Sequence, residues 1–166
     1  MTFEESKGDI EGKTLAWLGD GNNVANSLML IAALMGVKIR IACPKGYEPN
    51  ALVMKKAYEI YNRKDLLKVV NDPLIAASGA KGIYTDVWSS MGEENQKETK
   101  DRDFIGFTVD KNLVSKANEN AIVLHCLPAY RGKEIDDEIF ESKKSRIFEQ
   151  AENRMHVQQA LLSCLL

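Results

Sequence analysis

The sequence predicts an α/β fold: a Rossmann-like open parallel sheet of about five strands flanked by helices, in a single domain covering residues 1–166. Two observations predict it. Short apolar runs of strand length recur along the chain, and the segments between them have helical length and helix-capping residues. Strands that alternate with helices imply right-handed crossovers and a parallel sheet covered on both faces.

The strand candidates, in order, are TLAWL (14–18), KIRIA (38–42), LLKVV (66–70), GIYTDV (82–87) and AIVLH (121–125). The expected order is 3-2-1-4-5. Between the first two, VANSLMLIAALM reads as a helix stopped by Gly36 as its C' residue. PNALVMKKAYEIYNRK places Pro49 in a first helical turn, NDPLIAA offers Asp72 as N-cap before Pro73, and DKNLVSKANEN offers Asp110 as another. The stretch MGEENQKETKDRD (91–103) reads as solvated loop or frayed helix.

Length and composition narrow the class further. At 166 residues the chain can bury about 70% of the surface its unfolded form exposes. With 22 Lys and Arg against 24 Asp and Glu and a net charge of -2, nothing points to nucleic acid or to an acidic membrane surface. The longest apolar run, LMLIAALMGV, is too short to span a bilayer, and the N-terminus MTFEESKGDIEG lacks the basic and apolar regions of a signal peptide. Cys43, Cys126 and Cys164 are an odd number without C-x-x-C spacing, which suits a reducing compartment. The expectation is a cytoplasmic protein with no metal site.

After the first strand comes GDGNNV (19–24). A dinucleotide fingerprint needs a third glycine where Val24 stands and an acidic residue where the second strand runs into Ala42-Cys43-Pro44-Lys45, so both requirements fail. What remains is a glycine turn delivering Asn22 and Asn23 to a helix N-terminus, a place that favours a carboxylate or phosphate. One asparagine suffices as a cap; Asn23 is the candidate for a ligand.

In an open parallel sheet, ligands bind beyond the carboxyl ends of the strands where the strand order reverses. That rule brings GDGNN, DVWSSMG (86–92) and HCLPAYRG (125–132) to one crevice. Asp86 there can receive an ammonium, or simply form an Asx turn. Ser90 and the amides near Met91 can receive a carboxylate. Cys126 taken alone is a packing thiol, since His125 beside it should point to the opposite face and form no working dyad. The turn stiffened by Pro128 can leave the carbonyls of Cys126 and Leu127 as acceptors for an NH2 group. A last helix starting near Asn153 would put Arg154 in its first turn, opposed to the helix dipole unless Glu149, Glu152 or a ligand offsets it.

LAWLGDGNN, KGYEPN, NDP, DVWSSMG, HCLP and AENR, in this order and spacing, closely resemble the C-terminal, ornithine-binding half of the ornithine carbamoyltransferase family, from about Gly12 onward. The resemblance implies transfer of the carbamoyl group of carbamoyl phosphate to the δ-amine of L-ornithine, giving L-citrulline and phosphate in arginine metabolism. It implies no cofactor, and usually a homotrimer. It puts Asn23, Asp86, Ser90 and Met91 on ornithine's amino-acid end. Cys126 and Leu127 fall beside the reacting amine and the carbamoyl group, and Arg154 falls on the arginine that polarises the carbamoyl carbonyl. Cys126 is then a binding residue with no acyl-enzyme.

The family's Ser-x-Arg-Thr and His-Pro-x-Gln motifs, which bind carbamoyl phosphate on a first domain, do not occur in this sequence. The expectation is therefore a half-enzyme without the carbamoyl-phosphate domain, inactive alone. Val157, Leu161, Leu162 and Leu165 of the final helix should be partly uncovered. The alternatives are a half-enzyme for putrescine or an acylated ornithine, and a stand-alone amino-acid-binding module.

Overall fold

The computed structural model describes residues 1–63, 65–89, 92 and 94–166, with Glu94 described by its backbone alone. The strands are β1 (Thr14–Leu18), β2 (Lys38–Ala42), β3 (Leu67–Val70), β4 (Gly82–Thr85) and β5 (Ile122–His125). All pair in parallel, in the expected order β3-β2-β1-β4-β5. The helices are α1 (Thr2–Lys7), α2 (Asn23–Leu34), α3 (Ala51–Tyr61), α4 (Pro73–Ala77), α5 (Lys97–Asp103), α6 (Lys111–Lys116), α7 (Asp137–Phe140) and α8 (Ile147–Leu165). Among the described residues no helix is long and apolar enough to cross a membrane.

Strand alternation divides the core in two. Leu15, Trp17, Ile39 and Ile41 face one layer with Met29 of α2 and Ala57 of α3, while Ala16, Leu18 and Ile83 face the other with Ala76 of α4 and Leu113 of α6. Burial on both faces is why these strands read as near-continuous apolar runs.

Capping follows the sequence at Asp72, whose carboxylate accepts from Leu74 N, and at Asp110, which accepts from Leu113 N. Gly36, at φ 65°, stands just past α2 as expected. Pro49 is a correction. Asn50 caps α3 by accepting from Leu52 N and Val53 N. The helix therefore begins one residue after the cap, and Pro49 lies outside its first turn.

The described part of the 91–103 stretch is helical and largely solvated, with Lys100 as the exception. Within its described part, Glu94–Gln96 form a 3-10 turn and α5 follows. Lys100 of α5 is 2% exposed and its Nζ lies 2.6 Å from Asp20 of the β1–α2 loop. Tyr47 of the β2–α3 loop donates to Asp103 at 2.9 Å and packs its ring edge-on against Phe104. A segment rich in charge thus closes over the β1–α2 loop through a buried ion pair.

Gly21 shows how tightly these loops meet. Its N–H donates to the Tyr47 carbonyl at 2.9 Å, and a Cβ built there would lie 2.3 Å from Pro49 N and 2.5 Å from the Glu48 carbonyl carbon. Backbone cannot yield as a flexible side chain does. Gly21→Ala should cost about 1–3 kcal/mol, read as a lower denaturant midpoint with an unchanged m-value; an unchanged midpoint would show that the contact is not tight.

Candidate functional site

Parallel register places the site. Leu18 pairs with Thr85, and Thr85 with His125. The next residues on the three strands, Gly19, Asp86 and Cys126, therefore emerge together at the carboxyl edge of β1, β4 and β5. The Thr85 hydroxyl, fully buried, donates to the Leu18 carbonyl at 2.7 Å and fixes that edge.

Asp86 is 6% exposed. Its Oδ2 accepts from Asn22 Nδ2 at 3.0 Å and its Oδ1 from Val87 N at 2.8 Å. The Cys126 sulfur stands within 4.8 Å of an Asp86 oxygen. Both hydrogen-bond donors are neutral; among the described residues no cation meets this carboxylate. The local bond goes to the next residue, Val87, whereas an Asx turn reaches two residues on, and it occupies only one lone pair.

Asn22 divides its side chain between two tasks. Its Oδ1 caps α2 by accepting from Val24 N and Ala25 N, while its Nδ2 orients Asp86. Asn23, the first residue of α2, is exposed and its side chain makes no hydrogen bond among the described residues. Ser90 and Met91 lie outside the described residues.

The HCLP turn is held from beneath. His125 is fully buried. Its Nδ1 accepts from Leu127 N at 2.8 Å, and a backbone amide only donates, so Nδ1 carries no proton. Nε2–H is then the donor to Glu134 Oε1 at 3.2 Å. Glu134, 1% exposed, also accepts from Tyr130 N at 2.6 Å. Leu127 sits at φ 57°, followed by a cis bond to Pro128. Neither the Cys126 nor the Leu127 carbonyl accepts a hydrogen bond among the described residues, leaving two acceptors beside the thiol.

This gives a more specific reason that His125 and Cys126 are no catalytic dyad: both imidazole nitrogens are committed to Leu127 and Glu134. It also bears on metal binding. The ligand atoms of Asp86, His125 and Cys126 lie within 4.8 Å of one another, a clustering that sequence spacing concealed. A metal there would have to displace the Leu127 amide from Nδ1, so the trio has only two uncommitted ligands.

Burial pushes the half-buried Cys126 thiol well above the usual range, and the hydrogen bond and charge of Asp86 push it the same way. The neighbouring Tyr84 hydroxyl opposes that shift. Tyr84 is itself raised, first by burial and then by Cys126, while Gln150 lowers it. Gln150 of α8 donates to the Tyr84 oxygen at 2.8 Å and accepts from His125 N at 3.1 Å.

Arg154 requires a correction. Helix α8 begins at Ile147, not near Asn153, because buried Ile147 starts the helix inside the second core layer. Arg154 is therefore in the third turn, and the dipole argument does not apply to it. The local acids are engaged elsewhere, Glu149 with Arg146 at 3.9 Å and Glu152 with His156 at 3.4 Å. One turn beyond Gln150, Arg154 lines a groove of about 440 Å³ that also contains Tyr84 and Leu124. It adjoins the Asp86–Cys126 cluster through Tyr84 without touching it. Val157, Leu161, Leu162 and Leu165 are 49%, 57%, 57% and 73% exposed, as expected.

Tyr84, Glu134, Gln150 and the Asn22–Asp86 bond were not legible as site features. The one signal available was Gln150, a polar residue one turn before Arg154 and on the same side of the helix.

A parallel α/β sheet whose switch-point edge gathers a carboxylate, a thiol and carbonyls without partners among the described residues has the architecture of a ligand-binding domain of the open α/β class. The family model for the aspartate/ornithine carbamoyltransferase Asp/Orn-binding domain matches residues 11–165, and the chain belongs to that family. It is 68% identical over all 166 residues to an ornithine carbamoyltransferase of Prochlorococcus marinus subsp. pastoris, covering 54% of that protein. Among solved structures it is similar to ornithine carbamoyltransferase from Pyrococcus furiosus (TM-score 0.92, 42% identity, 98% of this chain and 52% of that one). The enzyme from Thermus thermophilus aligns with TM-score 0.86 at 42% identity, over 99% of this chain and 52% of that one. The chain thus spans about half the length of the relatives it matches.

The thiol environment is testable by alkylation in a Cys164→Ser background, Cys43 being fully buried. Asp86 raises the Cys126 pKa, so Asp86→Asn lowers it and increases the thiolate fraction at pH 8. Iodoacetamide should then modify Cys126 roughly tenfold faster, the effect of about one pKa unit. An unchanged rate would place Asp86 away from the sulfur.

Proposed function

We propose that this chain is the ornithine-binding part of an ornithine carbamoyltransferase and that the crevice between β1 and β4 holds L-ornithine. The observation that carries the reading is Asp86: a buried carboxylate given two neutral donors and no cation among the described residues, at the edge where ligands of such sheets bind. Family membership and the ornithine carbamoyltransferase relatives support it.

In this reading Asp86 holds the substrate α-ammonium, and Asn23, Ser90 and Met91 hold the carboxylate. The δ-amine, once neutral, lies beside Cys126 and attacks the carbamoyl carbon. The new C–N bond forms, the C–O bond to phosphate breaks, phosphate leaves with the electron pair, and the nitrogen gives its proton to the departing phosphate. The Leu127 carbonyl accepts from the carbamoyl NH2, and the Arg154 guanidinium meets the developing oxyanion. Catalysis is then positioning plus electrostatic stabilisation, with Cys126 as a contact of the amine rather than a nucleophile. Carbamoyl phosphate is held mainly by a second domain that these 166 residues do not supply. The same reading takes the active protein as a homotrimer of the cytoplasm; free Cys43, Cys126 and Cys164 fit a reducing compartment.

A chimera tests the substrate. With this chain in place of the matching half of the Prochlorococcus marinus enzyme, L-ornithine should be carbamoylated to citrulline in preference to putrescine or N-acetylornithine. The isolated 166 residues should show no turnover. Preference of the chimera for either other amine would overturn the substrate, and turnover by the isolated chain would overturn the half-enzyme reading.

A further inference from the structure

Two carboxylates adjoin Asn22 at the carboxyl edge of the sheet. Asp86 is bonded to its side chain, and Asp20 stands two residues before it in the β1–α2 loop. The fold treats them differently. Asp86 meets neutral donors among the described residues, whereas the Asp20 Oδ2 lies 2.6 Å from Lys100 Nζ, in a pair whose side chains are 13% and 3% exposed.

Lys100 reaches Asp20 because α5 lies across the strand-end loops. Its Nζ is 5.9 Å from the ring centroid of Tyr47 in the β2–α3 loop, and Asp103 and Asp101 of the same helix bond Tyr47 and Lys133 of the β5–α7 loop. The Asp20 backbone is fixed as well. Its carbonyl accepts from Trp17 Nε1 at 3.0 Å, and the next amide, Gly21 N–H, donates to the Tyr47 carbonyl.

Stability is a poor account of such a pair, because two charges taken out of water gain little over apolar side chains of the same volume. What the pair changes is the field at the site. Asp20 lies three residues before Asn23, the first residue of α2, where an acid ordinarily complements the positive end of a helix. With Lys100 cancelling its charge, that helix end is left to an anion of the ligand. Of the two carboxylates, Asp86 then keeps its charge for a cation.

We propose that Lys100 is a specificity-determining residue: by cancelling the charge of Asp20 it makes the site select an amine that carries its own carboxylate over a plain diamine. The proposal deepens the ornithine reading and rests on it for the reaction assayed. An amino-acid end brings one ammonium, for Asp86, and one carboxylate, which a second uncompensated acid would repel. A diamine brings no carboxylate, and a second acid would favour it.

The sign of the change separates this role from that of a fastener between α5 and the loop. Lys100→Met leaves the Asp20 charge exposed to the ligand, and Asp20→Asn leaves the Lys100 charge. The double variant leaves neither, although the contact is lost in all three.

The chimera described above is assayed at pH 7 with L-ornithine and with putrescine, which share the reacting amine and differ by the carboxylate. The ratio of kcat/KM for ornithine to that for putrescine should fall about tenfold in Lys100→Met, the size of one uncompensated charge in a partly buried site. It should rise in Asp20→Asn and return to the unsubstituted value in the double variant. An unchanged ratio in Lys100→Met, or a fall that persists in the double variant, would overturn the proposal. If Lys100→Met does not fold, as far-ultraviolet circular dichroism would show, Asp20→Asn decides in its place: a ratio above the unsubstituted value supports the proposal, and one at or below it overturns it. An unsubstituted chimera that prefers putrescine would defeat the ornithine reading, while the change in ratio between variants still decides the role of Lys100.

Discussion

The structure depends at its functional edge on a buried carboxylate. Removing Asp86 from water is costly unless its lone pairs are met, and the fold meets them with the Asn22 amide after β1 and the Val87 amide after β4, while the Cys126 sulfur after β5 stands within 4.8 Å. Each of those groups is placed by the parallel register that aligns Leu18, Thr85 and His125. Its donors are neutral, and among the described residues no cation compensates the charge, which is the property a site for an ammonium group requires.

Around that carboxylate the polar groups are nearly all used. His125 is consumed in holding the HCLP turn, one nitrogen on Leu127 and the other on Glu134. Asp20, at the heart of the glycine turn, pairs with buried Lys100, so this acid fastens one loop to another. What is left over is informative: the carbonyls of Cys126 and Leu127, the amide of Asn23 and the guanidinium of Arg154 have no hydrogen-bond or ion-pair partner among the described residues. A buried frame with most of its groups committed, presenting a few uncommitted ones, is the arrangement that preorganised binding calls for.

Much of this was legible in the residues. Apolar runs buried on both faces gave the strands and their order, and Asp72 and Asp110 announced two helices through their caps. The convergence of GDGNN, DVWSS and HCLP follows from topology alone. The misses have physical causes. The start of α8 was hidden because Ile147 lies in a mixed segment whose burial depends on tertiary packing. Lys100 looked like surface because a charged run shows no sign of the single lysine that turns inward. Tyr84, Glu134 and Gln150 could not be found because their side-chain partners are separated from them by nine residues for Glu134 and His125 and by 66 for Gln150 and Tyr84, and sequence spacing carries no record of such contacts.

The central claim is that the Asp86 carboxylate receives the cationic amine of an amino-acid ligand between β1 and β4. A crystal structure of this chain with L-ornithine measures that directly. The account predicts an ammonium nitrogen within hydrogen-bond distance of Asp86 and the side-chain amine beside Cys126. Ornithine bound with its carboxylate toward Asp86, or bound elsewhere with this crevice filled only by water, would contradict it.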